Sequence, residues 1–160
     1  MADKPAPGTF CWNELMTKDA ARARAFYAAL FGWKMSDMPM GPDVYTILKQ
    51  DEKDVGGLMQ IRADMGPVPS HWLAYVEVAD VDASTKKAAE LGARVQVAGM
   101  DVPGVGRFGV FEDPTGATLA VFRRAQPAAP AKPAQSPKRA KPSKRSKRVA
   151  PKAAKKSRRR

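Results

Sequence analysis

The chain predicts an α+β domain built from two tandem βαβββ units and followed by a disordered basic tail, and three observations carry that reading. The order strand, helix, three strands occurs twice between residues 8 and 124. Each helical stretch opens at an aspartate and stops at a glycine. The charge also divides sharply: of 28 Lys and Arg, 14 lie in residues 125–160 beside no acidic residue, which leaves 14 basic against 16 acidic in residues 1–124. The expected layout is a flexible N-terminus at 1–7, a folded domain at 8–124 with modules at about 8–61 and 71–124, and the tail at 125–160.

Phe10 to Met16 alternates as a strand, and Asp19 is placed to cap the helix that follows. On that helix Ala23, Phe26, Tyr27, Leu30 and Phe31 recur at helical spacing, and Gly32 stops it. Trp33 to Met38, Val44 to Lys49 and Gly57 to Ile61 read as three short strands, separated by MPMGPD and by the polar QDEKD. RADMGPVPS, residues 62–70, is a linker rich in turn formers. His71 to Val78 opens the second unit as a strand, and Asp80 or Asp82 caps a helix that Gly92 ends. Ala93 to Val97, Gly106 to Glu112 and Thr118 to Arg123 complete it, with DPTG as a tight turn between the last two.

Superposing Asp19 on Asp80 tests the repeat directly. It sets Trp12 over Leu73, Glu14 over Tyr75, Leu15 over Val76 and Thr17 over Val78, although identity between the units is slight. A core of this length can bury roughly two-thirds of its unfolded surface and folds without a disulfide. The lone Cys11 has no internal partner and suits a small buried apolar position. No signal segment or bilayer-length apolar run is present, so a cytoplasmic location follows by default.

The repeated architecture, with FYAALFGW, VEVADVDASTKKAAELGARV and FEDPTGATLAVF, resembles the vicinal oxygen chelate superfamily, the glyoxalase, bleomycin-resistance and extradiol-dioxygenase relatives. The resemblance implies a curved, mostly antiparallel sheet around a concave cavity, with helices on the convex side, and leaves a homodimer open. It also implies where metal-using members place their ligands: the first strand of each unit, here Trp12 and Leu73, and the last strand of each, here Ala120 and a position within Gly57 to Met59. None of these side chains binds a divalent ion, and a catalytic site wants three His, Cys or carboxylate ligands. The expectation is no metal and no cofactor.

Strand parity puts Trp12, Glu14 and Met16 on one face with Leu73, Tyr75, Glu77, Ala120 and Phe122. Cys11, Leu15, Ala74, Val76, Val78, Leu119 and Val121 fall on the other, beneath the helices. An apolar pocket holding a few polar groups is the usual composition of a small-molecule site. Trp12, Glu14, His71, Leu73, Tyr75, Arg107, Ala120 and Phe122 are therefore the candidate ligand-binding residues. Glu14 is also the candidate catalytic residue, because a carboxylate in an apolar cavity resists ionisation and suits acid–base work, or pairs with a cationic ligand or Arg107. A structural carboxylate bonded to Tyr75 is the alternative.

The tail is Lys, Arg, Pro, Ala and Ser with almost nothing else, and it resembles the C-terminal tails of linker histones in composition. Such a segment buries too little to offset its ordering entropy. Lys138, Arg139, Lys141, Lys144, Arg145, Lys147, Arg148, Lys155, Lys156, Arg158, Arg159 and Arg160 are candidate contacts to DNA or RNA. Without aromatics or base-reading elements the contact is non-specific, with Kd on the order of 10⁻⁴ to 10⁻⁶ M at physiological salt. The expected function is a metal-independent glyoxalase/bleomycin-resistance-like protein that binds a small organic molecule and associates with nucleic acid, in the cytoplasm or at the nucleoid. Two alternatives stay open: an active lyase, isomerase or dioxygenase with a displaced metal, or a nucleoid protein whose core is an oligomerisation platform.

Overall fold

A computed structural model describes residues 5–125, and the tail residues expected to contact nucleic acid lie outside the described residues. The first unit runs β1 (Phe10–Thr17), α1 (Ala20–Phe31), β2 (Lys34–Met40), β3 (Asp43–Gln50) and β4 (Lys53–Gln60). After a single turn of 3₁₀ helix at Ala63–Met65, the second unit runs β5 (His71–Glu77), α2 (Val81–Glu90), β6 (Arg94–Val102), β7 (Gly106–Glu112) and β8 (Thr118–Arg124). All eight strands form one curved, open sheet in the order β2-β3-β4-β1-β5-β8-β7-β6. The sheet is mixed: β1–β4 and β5–β8 are parallel pairs and the remaining neighbours antiparallel.

The helix ends follow from their caps. The Asp19 carboxylate accepts from the Arg22 amide at 2.9 Å, and Gly32 closes α1 in the left-handed region at φ 69°. In the second unit Asp80, rather than Asp82, takes the cap, accepting from the Ala83 amide at 2.9 Å. The EDPTG turn is held by one side chain, since Asp113 Oδ1 accepts from the Thr115 amide at 2.8 Å, the Thr115 hydroxyl at 2.6 Å and the Ala117 amide at 3.0 Å. Those bonds, the Thr115 hydroxyl first, hold the Asp113 carboxyl below the usual range.

Four strands, β2, β3, β4 and β6, run longer than their hydrophobic pattern indicates. β2 continues through Pro39, which an edge strand tolerates because its missing N–H would face solvent. The polar QDEKD is mostly strand: β3 and β4 meet at a two-residue turn where Asp51 has φ 53°, and Lys49 pairs with Asp54 across it. β6 is the other edge, and its two register shifts break the period-2 signal.

The central pairing carries the imprint of the repeat. β1 and β5 meet with Trp12 opposite Tyr75 and Glu14 opposite Leu73. Superposing Trp12 on Leu73 and Glu14 on Tyr75 exchanges these two pairs, as a local two-fold axis between the strands requires. Both helices lie on the same face. Leu15, Leu48 and Leu58, at most 5% exposed, pack with Ala20, Ala23 and Tyr27 of α1. From Leu15 the register leads through Trp72 and Val76 to Val121 and Gly109, where Thr85 of α2 rests. Cys11 departs from the expected side. A bulge between Phe10 and Trp12 resets the alternation, and Cys11 packs with the helix-free cluster, its thiol 3.5 Å from the Tyr75 carbonyl. Among the described residues no helix is long and apolar enough to cross a membrane.

Candidate functional site

The helix-free face centres on β1 and β5. Leu73, Tyr75, Val110 and Ala120 form its buried cluster, with Trp12, Phe108 and Phe122 packed around it. Tyr75 meets Phe108 and Phe122 edge-to-face, at ring-centre separations of 6.3 and 6.4 Å. Within this apolar setting Glu14 is only 7% exposed. The Tyr75 hydroxyl donates to Glu14 Oε1 at 3.1 Å. The Trp12 indole N–H donates to the Tyr45 hydroxyl at 2.8 Å. Because an indole nitrogen only donates, the Tyr45 oxygen acts as acceptor there, and its own proton is left for the bond it makes to Glu14. The result is a directed network in which Trp12 donates to Tyr45, and Tyr45 and Tyr75 both donate to Glu14.

Electrostatics follow from that placement. Burial pushes the Glu14 carboxyl above its ordinary value, against the opposing pull of the two phenol bonds and of nearby His71. Burial, then the Glu14 charge, pushes the Tyr45 and Tyr75 phenols up. Neither tyrosine is a source of phenolate here.

Six of the eight candidate binding residues share this face: Trp12, Glu14, Leu73, Tyr75, Ala120 and Phe122. His71 stands at the start of β5 opposite Met16, with Nδ1 2.8 Å from the Pro69 carbonyl oxygen. Arg107 does not reach Glu14. It lies on the helix-bearing face, where its guanidinium grips Asp82 through two bonds of 2.8 and 3.1 Å and Asp101 through one of 2.7 Å. That pairing holds the Asp82 carboxyl low. A shallow open depression of about 370 Å³ beside Arg107, Arg123 and Arg124 shares no lining residue with the Glu14 network.

Tyr45 is the member the sequence reading missed, and Gly57, there only the first residue of a stretch for a ligand position, is what admits it. Gly57 stands level with Glu14 across the parallel β1–β4 pair. A Cβ at Gly57 would overlap the Tyr45 hydroxyl, so the phenol lies over the sheet in space that any other residue at 57 would fill. The adjacent glycines Gly56 and Gly57 were the available signal, marking close approach inside a strand.

The resemblance to metal-using relatives supplies a direct test of fit. The positions that the resemblance assigns to ligands are Trp12, Leu73, Ala120 and the Gly57 to Met59 stretch, which offer indole, alkyl and thioether groups and no imidazole or carboxylate. Glu14 is the carboxylate at hand, and both tyrosines already donate to it. Among the described residues no three His, Cys, Asp or Glu side chains converge to hold an ion. The residues present do not fit a catalytic divalent metal.

Fold and face together define a paired-βαβββ domain with one bare sheet face. Residues 10–121 match the family model described as the Glyoxalase/Bleomycin resistance protein/Dioxygenase superfamily, and the chain belongs to that family. It is 42% identical over 119 residues to CFP32 of Mycobacterium tuberculosis, a protein named as a glyoxylase, covering 74% of this chain and 45% of the relative. It is 36% identical over 132 residues to the anthracycline biosynthesis protein DnrV of Streptomyces peucetius, covering 74% and 48%. The chain thus spans under half the length of these curated relatives. Homoprotocatechuate 2,3-dioxygenase from Brevibacterium fuscum superposes with a TM-score of 0.53 at 25% identity, over 76% of this chain and 34% of that one. The hypothetical protein BH1468 of Bacillus halodurans superposes at 0.55 and 12% identity, over 77% and 99%, a likeness of fold alone.

Proposed function

We propose that the chain is a metal-independent member of this family, with a domain at 8–124 that binds a small organic molecule against the concave, helix-free face. The observation that carries the reading is the replacement of the ligand positions by a hydrogen-bond network. Tyr45 closes over Gly57, Trp12 fastens it, and Tyr45 and Tyr75 both donate to Glu14. An aromatic wall around the hydrogen-bonded Glu14 carboxyl suits recognition of a mostly apolar molecule that carries a polar group. The names of the relatives, glyoxylase and anthracycline biosynthesis protein, both concern small organic compounds. Native mass spectrometry of the chain purified from its own host tests the reading. A bound organic mass that the Trp12→Ala variant loses supports it; an ion removed by chelator overturns it.

A second reading rests on the raised Glu14 carboxyl, which is poised to exchange a proton with a bound substrate. Substrate turnover abolished in Glu14→Gln, with binding retained, distinguishes catalysis from binding alone.

Residues 125–160 complete the proposal as a non-specific nucleic-acid tether, placing the protein at the nucleoid. Their 14 positive charges, unopposed by any acid, release counterions on meeting phosphate. A homodimer belongs to the same proposal. The chain covers under half of its curated relatives, and Phe26, Leu30 and Phe31 of α1 remain 57, 55 and 50% exposed beside Trp72 at 42%. Sedimentation equilibrium of the wild type against Phe26→Ser/Leu30→Ser tests it.

A further inference from the structure

Glu14 is a buried carboxylate that makes no salt bridge among the described residues. Among the described residues no Lys or Arg pairs with it, and the arginine that strand parity offered, Arg107, is fully engaged by Asp82 and Asp101 on the opposite face. His71 favours its ionised form by charge but shows no hydrogen bond to it among the described residues, and its Nδ1 faces the Pro69 carbonyl. Buried carboxylates are otherwise found paired, because the loss of hydration needs compensation. Two phenol donors supply part of it here, and neither carries charge.

The surroundings match what would supply the rest. Trp12, Tyr45, Tyr75, Phe108 and Phe122 crowd the same face, with Trp12, Tyr45, Phe108 and Phe122 only half-buried. Aromatic faces attract cations, the more strongly where water is excluded, and a carboxylate behind them adds charge complementarity. Anions are excluded by the same arrangement, and a neutral apolar molecule would leave the acid uncompensated.

We infer that the helix-free face is a site for an organic cation, an amine or quaternary ammonium group on an apolar skeleton, held between the Trp12, Phe108 and Phe122 rings and the Glu14 carboxylate. This rests on the proposal that the face binds a small molecule, and it adds the charge of that molecule. The interaction strengthens as Glu14 ionises, so affinity rises with pH across the Glu14 titration and then levels.

The test uses the full chain and two probes of nearly equal shape: choline, and its neutral carbon isostere 3,3-dimethylbutan-1-ol, at constant ionic strength. The readout is the Trp12 indole N–H resonance, assigned among the three tryptophans by Trp12→Phe. The expected result is choline binding at least tenfold tighter than the isostere, the difference collapsing in Glu14→Gln. Tyr75→Phe, which keeps the carboxylate and removes one donor, retains the preference and serves if Glu14→Gln fails to fold. Equal affinity for both probes overturns the cationic inference and leaves the binding face standing. A Trp12 resonance that neither probe moves overturns both. Unchanged choline affinity in a folded Glu14→Gln protein also overturns the inference.

Discussion

Replacing Glu14 by glutamine should change how stability depends on pH, and the sign is set by burial. Glu14 is 7% exposed, and its carboxyl is pushed above the usual value. A carboxyl whose folded value exceeds its unfolded value holds its proton longer in the native state, so the folded state binds more protons between the two values. Stability from this group is fully present below the unfolded value and is lost as pH rises through the folded one, by about 1.4 kcal/mol for each unit of difference. Asp82 and Asp113 act in the opposite sense, since Arg107 and Thr115 hold them low, but they are common to both proteins and cancel in the comparison. Glutamine carries one oxygen and one amide NH₂, so one phenol must turn from donor to acceptor at a cost of about 1–3 kcal/mol that does not vary with pH. Urea unfolding of wild type and Glu14→Gln from pH 4 to 8 should therefore show the variant gaining on the wild type as pH rises, on top of a constant offset. A difference flat across that range would refute the claim that burial governs this carboxyl.

Gly57→Ala should destabilise the domain by about 1–3 kcal/mol, since the new methyl overlaps the Tyr45 phenol, and a Tyr45→Val background should relieve most of that loss in a double-mutant cycle by urea unfolding. Leu58→Ala, at a side chain 1% exposed beneath α1, should cost about 2–5 kcal/mol by the same measurement. Asp80→Ala should cost about 1 kcal/mol through the lost bond to the Ala83 amide, read as a lower Tm in calorimetry. Deleting residues 126–160 should remove most binding to random-sequence duplex DNA and flatten its dependence on salt in fluorescence anisotropy.

Much of the architecture was legible because local rules and the global fold agree. Asp19, Gly32 and Asp80 announce helix ends, and superposing Asp19 on Asp80 reveals the repeat, whose two first strands the structure then pairs with Trp12 opposite Tyr75 and Glu14 opposite Leu73. What stayed hidden depends on strand order. Tyr45 and Gly57 meet the Glu14 network only because β4 returns parallel beside β1 and β3 follows it, and nothing in VYTILK alone says so. Arg107 was assigned a plausible charge partner on the wrong face because parity within β7 could not be tied to β1 from sequence. One bulge at Cys11 inverted a side-chain direction that strict alternation assumes.

Metal content bears most directly on the central claim. Protein purified from its own host, assayed by inductively coupled plasma mass spectrometry before and after dialysis against a chelator, is expected to carry well below one divalent ion per chain, with ligand-induced shifts of the Trp12 indole resonance unaltered by the chelator. One tightly held ion per chain, whose removal abolishes those shifts, would contradict the account.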